Sequence, residues 1–297
     1  MTKIPAPSET SDLDRGYVRS IVTFIDILGF KALLRQSDAG QIKSIMQSLR
    51  AFAGGEGERP NLKDEAGGSP AQSRVFSESI SDAVVRVREL SDRIPGGPFL
   101  AELKDLMRIQ IECARRHVLI RGGMTIGRVF SGEAGEGPIF GEGVDRAYEI
   151  EEKEALYPRV MVDDSAIALF MQDGALWPNQ TFPDVGCDVA EAYIETGEDG
   201  GGFVNYLNFA ALSFFESEEE RVAFWETHRN LILQNANAMN VRTRRKYIWL
   251  SNYHNKYARK LTDRYRSMKE AGNENIPWNP ERLFEHLHIP GSAFHLP

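Results

Sequence analysis

The sequence predicts an α/β sandwich of the ferredoxin-like type with a C-terminal helical extension. Its apolar runs and amphipathic stretches follow the order strand–helix–strand–strand–helix–strand, the βαββαβ pattern of that sandwich. From Ser217 onward the periodicity is helical, down to the turn Pro277-Trp278-Asn279-Pro280. The 42 % hydrophobic and 26 % charged content is that of an ordinary globular chain, and 297 residues bury a large core without disulfide or metal staples.

Residues 1–16, rich in Ser, Asp and Pro, read as a flexible leader, residues 17–212 as the sandwich domain and residues 213–297 as the extension. The first strand runs from Tyr17 to Leu28, an apolar run ending in a carboxylate and a glycine. Leu33, Leu34, Ile42, Ile45, Met46 and Leu49 form a broad apolar stripe, so one helix is expected from Phe30 to about Phe52. Gly54–Ser73 is Gly-, Pro- and charge-rich without periodicity and reads as a mobile loop. Arg74–Glu78 and Ala83–Val87 are spaced as a hairpin with Ser81-Asp82 near its turn. A helix over Pro98–His117 leads to the strand Val118–Val129, which contains Arg121-Gly122-Gly123. The glycine-rich stretch Gly132–Gly143 opens a short polar helix, Val144–Glu154. Arg159–Asp163 follows as a strand and Asp164–Phe170 as a helix with Asp or Ser as its cap. After a loop containing Trp177-Pro178 come two strands, Ala192–Thr196 and Phe203–Phe209. No internal repeat is present.

Composition excludes several classes. Cys113 and Cys187 stand alone, with no CxxC or Cys/His cluster, so neither a disulfide framework nor a zinc site is signalled. Met1–Pro5 leads into a polar stretch without the apolar core of a signal peptide. No apolar run approaches the ~20 residues that span a bilayer. A cytoplasmic protein without a membrane partner is expected. The net charge of −8 argues against a nucleic-acid coat, and no stable nucleic-acid partner is expected.

The chemistry concentrates at Phe24-Ile25-Asp26-Ile27-Leu28-Gly29-Phe30. A carboxylate at the end of an apolar strand is costly to bury unpaired. Where the backbone turns into a helix N-terminus its amides favour phosphate, and a carboxylate beside them needs a cation such as Mg²⁺ or Mn²⁺. A second carboxylate is then required to share the ions, and Asp82 in the neighbouring hairpin is the natural candidate. On spacing alone Asp26 equally fits a helix N-cap, and Asp82 an ordinary turn aspartate.

The same residues carry a resemblance. Phe24–Phe30 looks like the F-x-D-I-x-G-F signature of the class III nucleotidyl cyclases. Ile80-Ser81-Asp82-Ala83-Val84-Val85 resembles their second metal-binding hairpin, with Ser81 in place of the usual glycine. Arg121-Gly122-Gly123-Met124-Thr125-Ile126-Gly127 resembles their R-x-G-I-x-x-G strand, and Phe140-Gly141-Glu142-Gly143-Val144-Asp145-Arg146-Ala147 their W-G-x-x-V-N-x-A segment. The four motifs lie in the family's order over roughly residues 18–210. The resemblance implies a sandwich of the class III cyclase type and two Mn²⁺ or Mg²⁺ ions held by Asp26, Asp82 and the Ile27 carbonyl. It implies that the amides of Leu28, Gly29 and Phe30 hold the outer phosphates of a nucleoside triphosphate. The ribose 3′-hydroxyl would attack the α-phosphorus, with pyrophosphate leaving. A homodimer is implied as well, since the family's sites form at a head-to-tail interface.

Departures from the adenylate and guanylate cyclases bear on the substrate. The family's transition-state asparagine and arginine align with Asp145 and Glu149, and Arg146 is a possible substitute or a solvent-facing helix arginine. The lysine expected near Glu195–Gly202 is absent. The base-reading lysine of adenylate cyclases aligns with Glu78, and its partner aspartate falls near Pro138. A carboxylate accepts from guanine N1–H, uracil N3–H or the cytosine amino group, not from adenine N1, so ATP is least supported. Glu78 equally reads as a third metal carboxylate or a water-facing strand residue.

The whole set is similar to the bacterial pyrimidine cyclases of antiphage defence, which make cyclic UMP or cyclic CMP for a separate effector. Lys246-Tyr247-Ile248-Trp249-Leu250 with Tyr253-His254-Asn255 looks like their C-terminal extension. Uridylate is favoured over cytidylate cyclase activity, with a guanylate cyclase or a catalytically degenerate nucleotide or RNA sensor as alternatives. Residues 241–266 interleave Arg and Lys with Tyr and Trp. That mixture fits nucleic-acid binding, an amphipathic helix with its aromatics inward, or arginines such as Arg244 and Arg245 reaching the triphosphate. Gly132–Gly143 lacks a P-loop's Gly-Lys-Ser/Thr ending, His286 and His288 are poorly spaced for a metal, and no Ser/His/Asp set is assignable.

Overall fold

Strand β1 (Val18–Ile27) is apolar on both faces and forms the middle of the molecule. Its alternate residues enter two different cores: Ile21, Ile25 and Ile27 on one side of the sheet, Val22 and Phe24 on the other. A computed structural model describes residues 16–53, 75–80, 82–90, 97–132, 138–172, 192–238, 240–273 and 279–294. Nearly all of the expected leader, the expected loop Gly54–Ser73, Trp177-Pro178, Cys187, Pro277-Trp278 and the middle of Gly132–Gly143 lie outside those residues.

Seven strands make one sheet in the order β2-β3-β1-β4-β5-β7-β6. β2 (Val75–Ile80) and β3 (Ala83–Glu89) form the expected antiparallel hairpin, and β4 (Ile120–Val129) flanks β1 on its other side. All three pairings in this half are antiparallel, which is the ferredoxin-like arrangement. β5 (Val160–Val162) joins β4 in parallel, and the hairpin of β6 (Ile194–Thr196) and β7 (Gly202–Val204) completes the sheet.

One helix expected after β1 is two, α1 (Phe30–Gln36) and α2 (Ala39–Ala53). The break is a reciprocal cap: the Gln41 amide donates to Asp38 Oδ1 at 2.9 Å, and the Asp38 amide donates to Gln41 Oε1 at 3.2 Å. Met46 and Leu49 of α2 pack with Phe99, Leu103, Leu106 and Met107 of α3 (Gly97–Arg115) on one face of the sheet. There, at the foot of β3, Arg86 and Arg88 are buried with Glu102; Arg86 Nε lies 3.0 Å and Arg88 Nε 2.8 Å from its carboxylate.

The opposite face carries α4 (Glu142–Glu149), which runs into a π-helical turn, Ile150–Glu154. The motif glycines of β4 explain how close it sits. A Cβ at Gly123 would lie 2.4 Å from the Ala147 carbonyl oxygen, and one at Gly127 would lie 2.6 Å from Gly143 Cα. α5 (Asp164–Gln172) returns to the α3 side, where Phe170 stacks on Phe99 at 4.4 Å.

β7 is shorter than expected: past Val204 the Asn205 amide makes one more bond, to the Tyr193 carbonyl at 2.9 Å, while its side chain accepts from the Tyr253 hydroxyl at 2.7 Å and donates to Tyr257. A 3₁₀ turn, Phe209–Phe214, follows. The extension consists of α6 (Glu218–Asn235), capped by Ser217, then α7 (Val241–Glu270), capped by Asn240, then α8 (Pro280–Leu287). Along α7 the buried stripe is aromatic: Tyr253, Tyr257 and Tyr265 face inward while most of the cations face outward. No helix of the described residues is long and apolar enough to cross a membrane.

Candidate active site

Val22, Phe24 and Asp26 point to the face of the sheet that carries α4, and Asp26 is the last of them. In register it stands opposite Ala83 on β3 and Arg121 on β4. Asp82 precedes Ala83 at the hairpin turn, so two carboxylates distant in sequence become neighbours at the open end of the sheet. Burial pushes the Asp26 carboxyl above its ordinary range, the charge of Asp82 adds to the rise, and Arg121 opposes both.

Arg121 belongs to this cluster although its motif gives it no expected role. Its Nε and Nη2 each lie 3.3 Å from Asp26 Oδ2. Nη2 also forms an ion pair with Glu151 Oε1 at 2.6 Å, off the direction of an aligned hydrogen bond. Glu151 is buried, and that burial raises its carboxyl to about 7, against the pull of Arg121 and with the push of Asp26. The π turn places Glu151 here. Its signal in the sequence is only an acidic residue two positions past Glu149, and a widened helical turn has no periodicity to read.

A fifth side chain arrives from the extension. Lys246 on α7 is half-buried and within electrostatic reach of Asp26, Glu151 and Arg121. Burial lowers its ammonium from the ordinary lysine range, Arg121 and Arg242 lower it further, and the two carboxylates oppose them.

Past Asp26 the chain turns through Gly29, whose φ of 80° is the left-handed conformation that glycine adopts without strain. Of the three amides expected to hold phosphate, that of Leu28 donates to the Leu119 carbonyl at 2.8 Å and is taken. This corrects the expectation for Leu28, because β1 extends its pairing with the segment before β4 by one bond. The amides of Gly29 and Phe30 have no backbone acceptor among the described residues.

The remaining expected residues lie elsewhere. Glu78 on β2 pairs with Val85, and its Oε2 accepts from the Ile139 amide at 2.9 Å, beside Pro138. The two positions aligned with base reading are thus adjacent. Arg146 is separated from Asp26. Its Nε lies 3.1 Å from Asp163 Oδ2 and its Nη1 2.9 Å from Glu154 Oε1, while Asp163 is also held by Thr125 at 2.8 Å. Thr125 is four residues along β4 from Arg121, about 13 Å at strand spacing. Asp145 is exposed, and exposed Glu149 pairs with Lys153 at 3.1 Å.

The donor set at Asp26 suits a hard cation. Two adjacent carboxylates and the Ile27 carbonyl are all oxygen, and the only charge relief they receive from β4 is a guanidinium. Among the described residues no three or more His, Cys, Asp or Glu side chains gather as a metal cage. Mg²⁺ and Mn²⁺ sites that share substrate phosphates use one or two carboxylates, so the pair is sufficient for that type.

No protein-family model matches the sequence, and no curated protein matches it. Solved structures do match in shape. The guanylyl cyclase domain of the RhoGC fusion protein from the aquatic fungus Blastocladiella emersonii aligns over 63 % of this chain and 95 % of its own, with 15 % identity and a TM-score of 0.39. A bacterial light-regulated adenylyl cyclase aligns over 66 % of this chain and 94 % of its own, with 13 % identity and a TM-score of 0.38.

Proposed function

We propose that the chain is a nucleotidyl cyclase that converts a pyrimidine ribonucleoside triphosphate, UTP in preference, to its 3′,5′-cyclic monophosphate and pyrophosphate. The observation that carries this reading is the meeting of Asp26 and Asp82 beside the unpaired amides of Gly29 and Phe30. Asp26, Asp82 and the Ile27 carbonyl would hold two Mn²⁺ or Mg²⁺ ions. When bound, these would neutralise phosphate charge and make the ribose 3′-hydroxyl more acidic. The Gly29 and Phe30 amides would orient the outer phosphates, and Arg121 would hold the Asp26 and Glu151 carboxyls in place and oppose the rise that burial gives them. The 3′-oxygen bonds to the α-phosphorus, the bond from that phosphorus to the bridging oxygen breaks, and pyrophosphate leaves, with the hydroxyl proton passing to solvent.

Glu78 supports uracil, since a carboxylate anchored at Ile139 keeps an oxygen to accept an N3–H. A role in antiphage defence, with a separate effector answering the cyclic nucleotide, rests on the resemblance of the motifs. A homodimer is favoured by the half-exposed aromatics Tyr17, Phe140 and Tyr148, set beside the α4-bearing face. A second reading, a non-catalytic nucleotide sensor, is favoured by the engagement of Arg146 with Asp163 and Glu154.

One assay separates them. The protein is incubated with each of the four ribonucleoside triphosphates and Mn²⁺, and products are identified by mass. Cyclic UMP supports the reading, cyclic CMP or cyclic GMP reassigns the base, and no cyclic product from any of the four leaves the sensor. Asp26→Ala and Asp82→Ala should each abolish product; activity surviving in either removes that residue from metal binding.

A further inference from the structure

We propose that Lys246, delivered by α7 of the same chain, is a ligand of the substrate's phosphates at the Asp26–Asp82 site, so that the C-terminal extension completes the site. The inference rests on the reading of that site as a triphosphate site and adds a residue to which the sequence resemblance gives no role in it.

Position comes first. The inward stripe of α7 continues from Lys246 through Trp249, Leu250, Tyr253 and Tyr257, at the three- and four-residue spacing of one helix face. Lys246 therefore occupies a place where the next turns hold aromatics, and it is half-buried while its neighbours Arg242 and Arg245 are exposed. Trp249, one turn on, fixes the helix. It stacks on Tyr157 at 5.2 Å, meets Phe203 edge-on at 5.5 Å, and lies 5.4 Å from the buried Arg159 guanidinium. Tyr157 follows the π turn that carries Glu151, so the Tyr157–Trp249 stack ties that turn to the turn of α7 that follows Lys246.

Charge comes second. Lys246 is near enough to Asp26 and Glu151 to interact with both, yet among the described residues no carboxylate is within ion-pair distance of it. Both carboxylates are instead engaged by Arg121. A lysine stem is long and flexible, and an ammonium kept out of water without a partner is unfavourable unless something arrives to use it. Arg146 is already engaged by Asp163 and Glu154, and Asp145 and Glu149 are acidic. That leaves Lys246 as a half-buried cation, unpaired among the described residues, within electrostatic reach of Asp26. A polyphosphate is the ligand class that meets a compact point charge next to two carboxylates and their ions.

The test measures binding of α,β-methylene analogues of the four ribonucleoside triphosphates, with Mn²⁺, to the full-length protein and to Lys246→Met and Lys246→Arg. Uridine binding and the thermal midpoint are measured in parallel. The expected result is at least a tenfold loss of analogue affinity in Lys246→Met and substantial recovery in Lys246→Arg, with uridine affinity and the midpoint unchanged. Unchanged analogue affinity, or a lowered midpoint as the only effect, overturns the proposal and makes Lys246 a structural counter-charge. Should Lys246→Met fail to fold, Lys246→Gln is read the same way. If the wild-type protein binds no analogue at all, the triphosphate reading itself fails and the role of Lys246 with it, an outcome distinct from a loss confined to the variants.

Discussion

Arg121 and Asp26 face each other across β4 and β1 and are joined by their side chains as well, with two guanidinium nitrogens 3.3 Å from one carboxylate oxygen. The same guanidinium reaches Glu151 at 2.6 Å, so a single cation answers two carboxylates, with Asp82 close by. Replacing it with an apolar residue of similar length leaves that charge uncompensated. Arg121→Met should lose about 2 kcal/mol of stability at neutral pH, below the full cost of a buried pair because about a fifth of each partner's side chain is exposed. Urea unfolding measures it. Added Mn²⁺ should restore part of the loss, and a variant as stable as the wild type would deny Arg121 this role.

The opposite sign is expected at Asp26. Burial and Asp82 both oppose its ionised form, so the native fold holds a charge it would do better without. Asp26→Asn should leave the thermal midpoint equal to or above that of the wild type, while cyclic nucleotide formation with Mn²⁺ falls at least about 100-fold. A midpoint several degrees lower would mean that Asp26 serves the fold rather than the site.

The contrast between Asp26 and Glu151 shows what the sequence could reveal. Strands with period-two patterning and a turn signal give β1 and its hairpin, and with them the meeting of Asp26 and Asp82. Glu151 sits on a π turn that begins at Ile150, seated over Gly123, and such a widened spacing has no local signal in the sequence. Lys246 lies in a stretch rich in cations, where nothing in the spacing singles it out until Trp249 is seen stacked on Tyr157. The break between α1 and α2 was legible in principle, because Asp38-x-x-Gln41 is a capping box set inside an otherwise continuous apolar stripe. Leu28 shows the reverse limit. Its amide lies in the motif, yet only the tertiary bond to Leu119 shows that it is occupied.

Away from the site, Glu102 holds two buried arginines, and burial alone would raise its carboxyl. Arg86 and Arg88 instead hold it down to about 2. A depressed carboxylate stabilises above its unfolded value near 4.5, and that contribution is lost as the pH falls from there toward 2. The span corresponds to about 3 kcal/mol. Glu102→Ala should cost about 3 kcal/mol at pH 7, because two buried guanidinium groups then share only the part-exposed Asp105 carboxylate. Chemical denaturation at pH 7 and pH 3 checks both statements: the gap between variant and wild type should narrow at the lower pH, and a constant gap contradicts the linkage.

The extension has its own acid response, in a different window. His254 Nε2 lies 2.9 Å from the Leu287 carbonyl, which only accepts, so that nitrogen carries the proton. With both rings neutral, His254 Nδ1 accepts from His228 Nδ1 at 2.9 Å, and His228 Nε2 accepts from the Tyr206 hydroxyl at 2.8 Å. Burial keeps both rings neutral, and the three bonds link the segment after β7 to α6, α7 and the end of α8. Burial lowers His254 to about 4, and burial with His254 beside it lowers His228 well below its ordinary value. The unfolded chain takes up protons near 6.5 that the native relay refuses, so stability is full above that pH and is lost as the pH falls toward 4. For His254 alone the loss amounts to about 3 kcal/mol. Trp225 meets the His254 ring edge-on at 5.0 Å and reports the event. Its emission and the hydrogen exchange of α8 should both change between pH 6.5 and 4.5, with α8 exchanging before β1. A thermal midpoint that stays flat across that interval would show that the relay accepts a proton without cost.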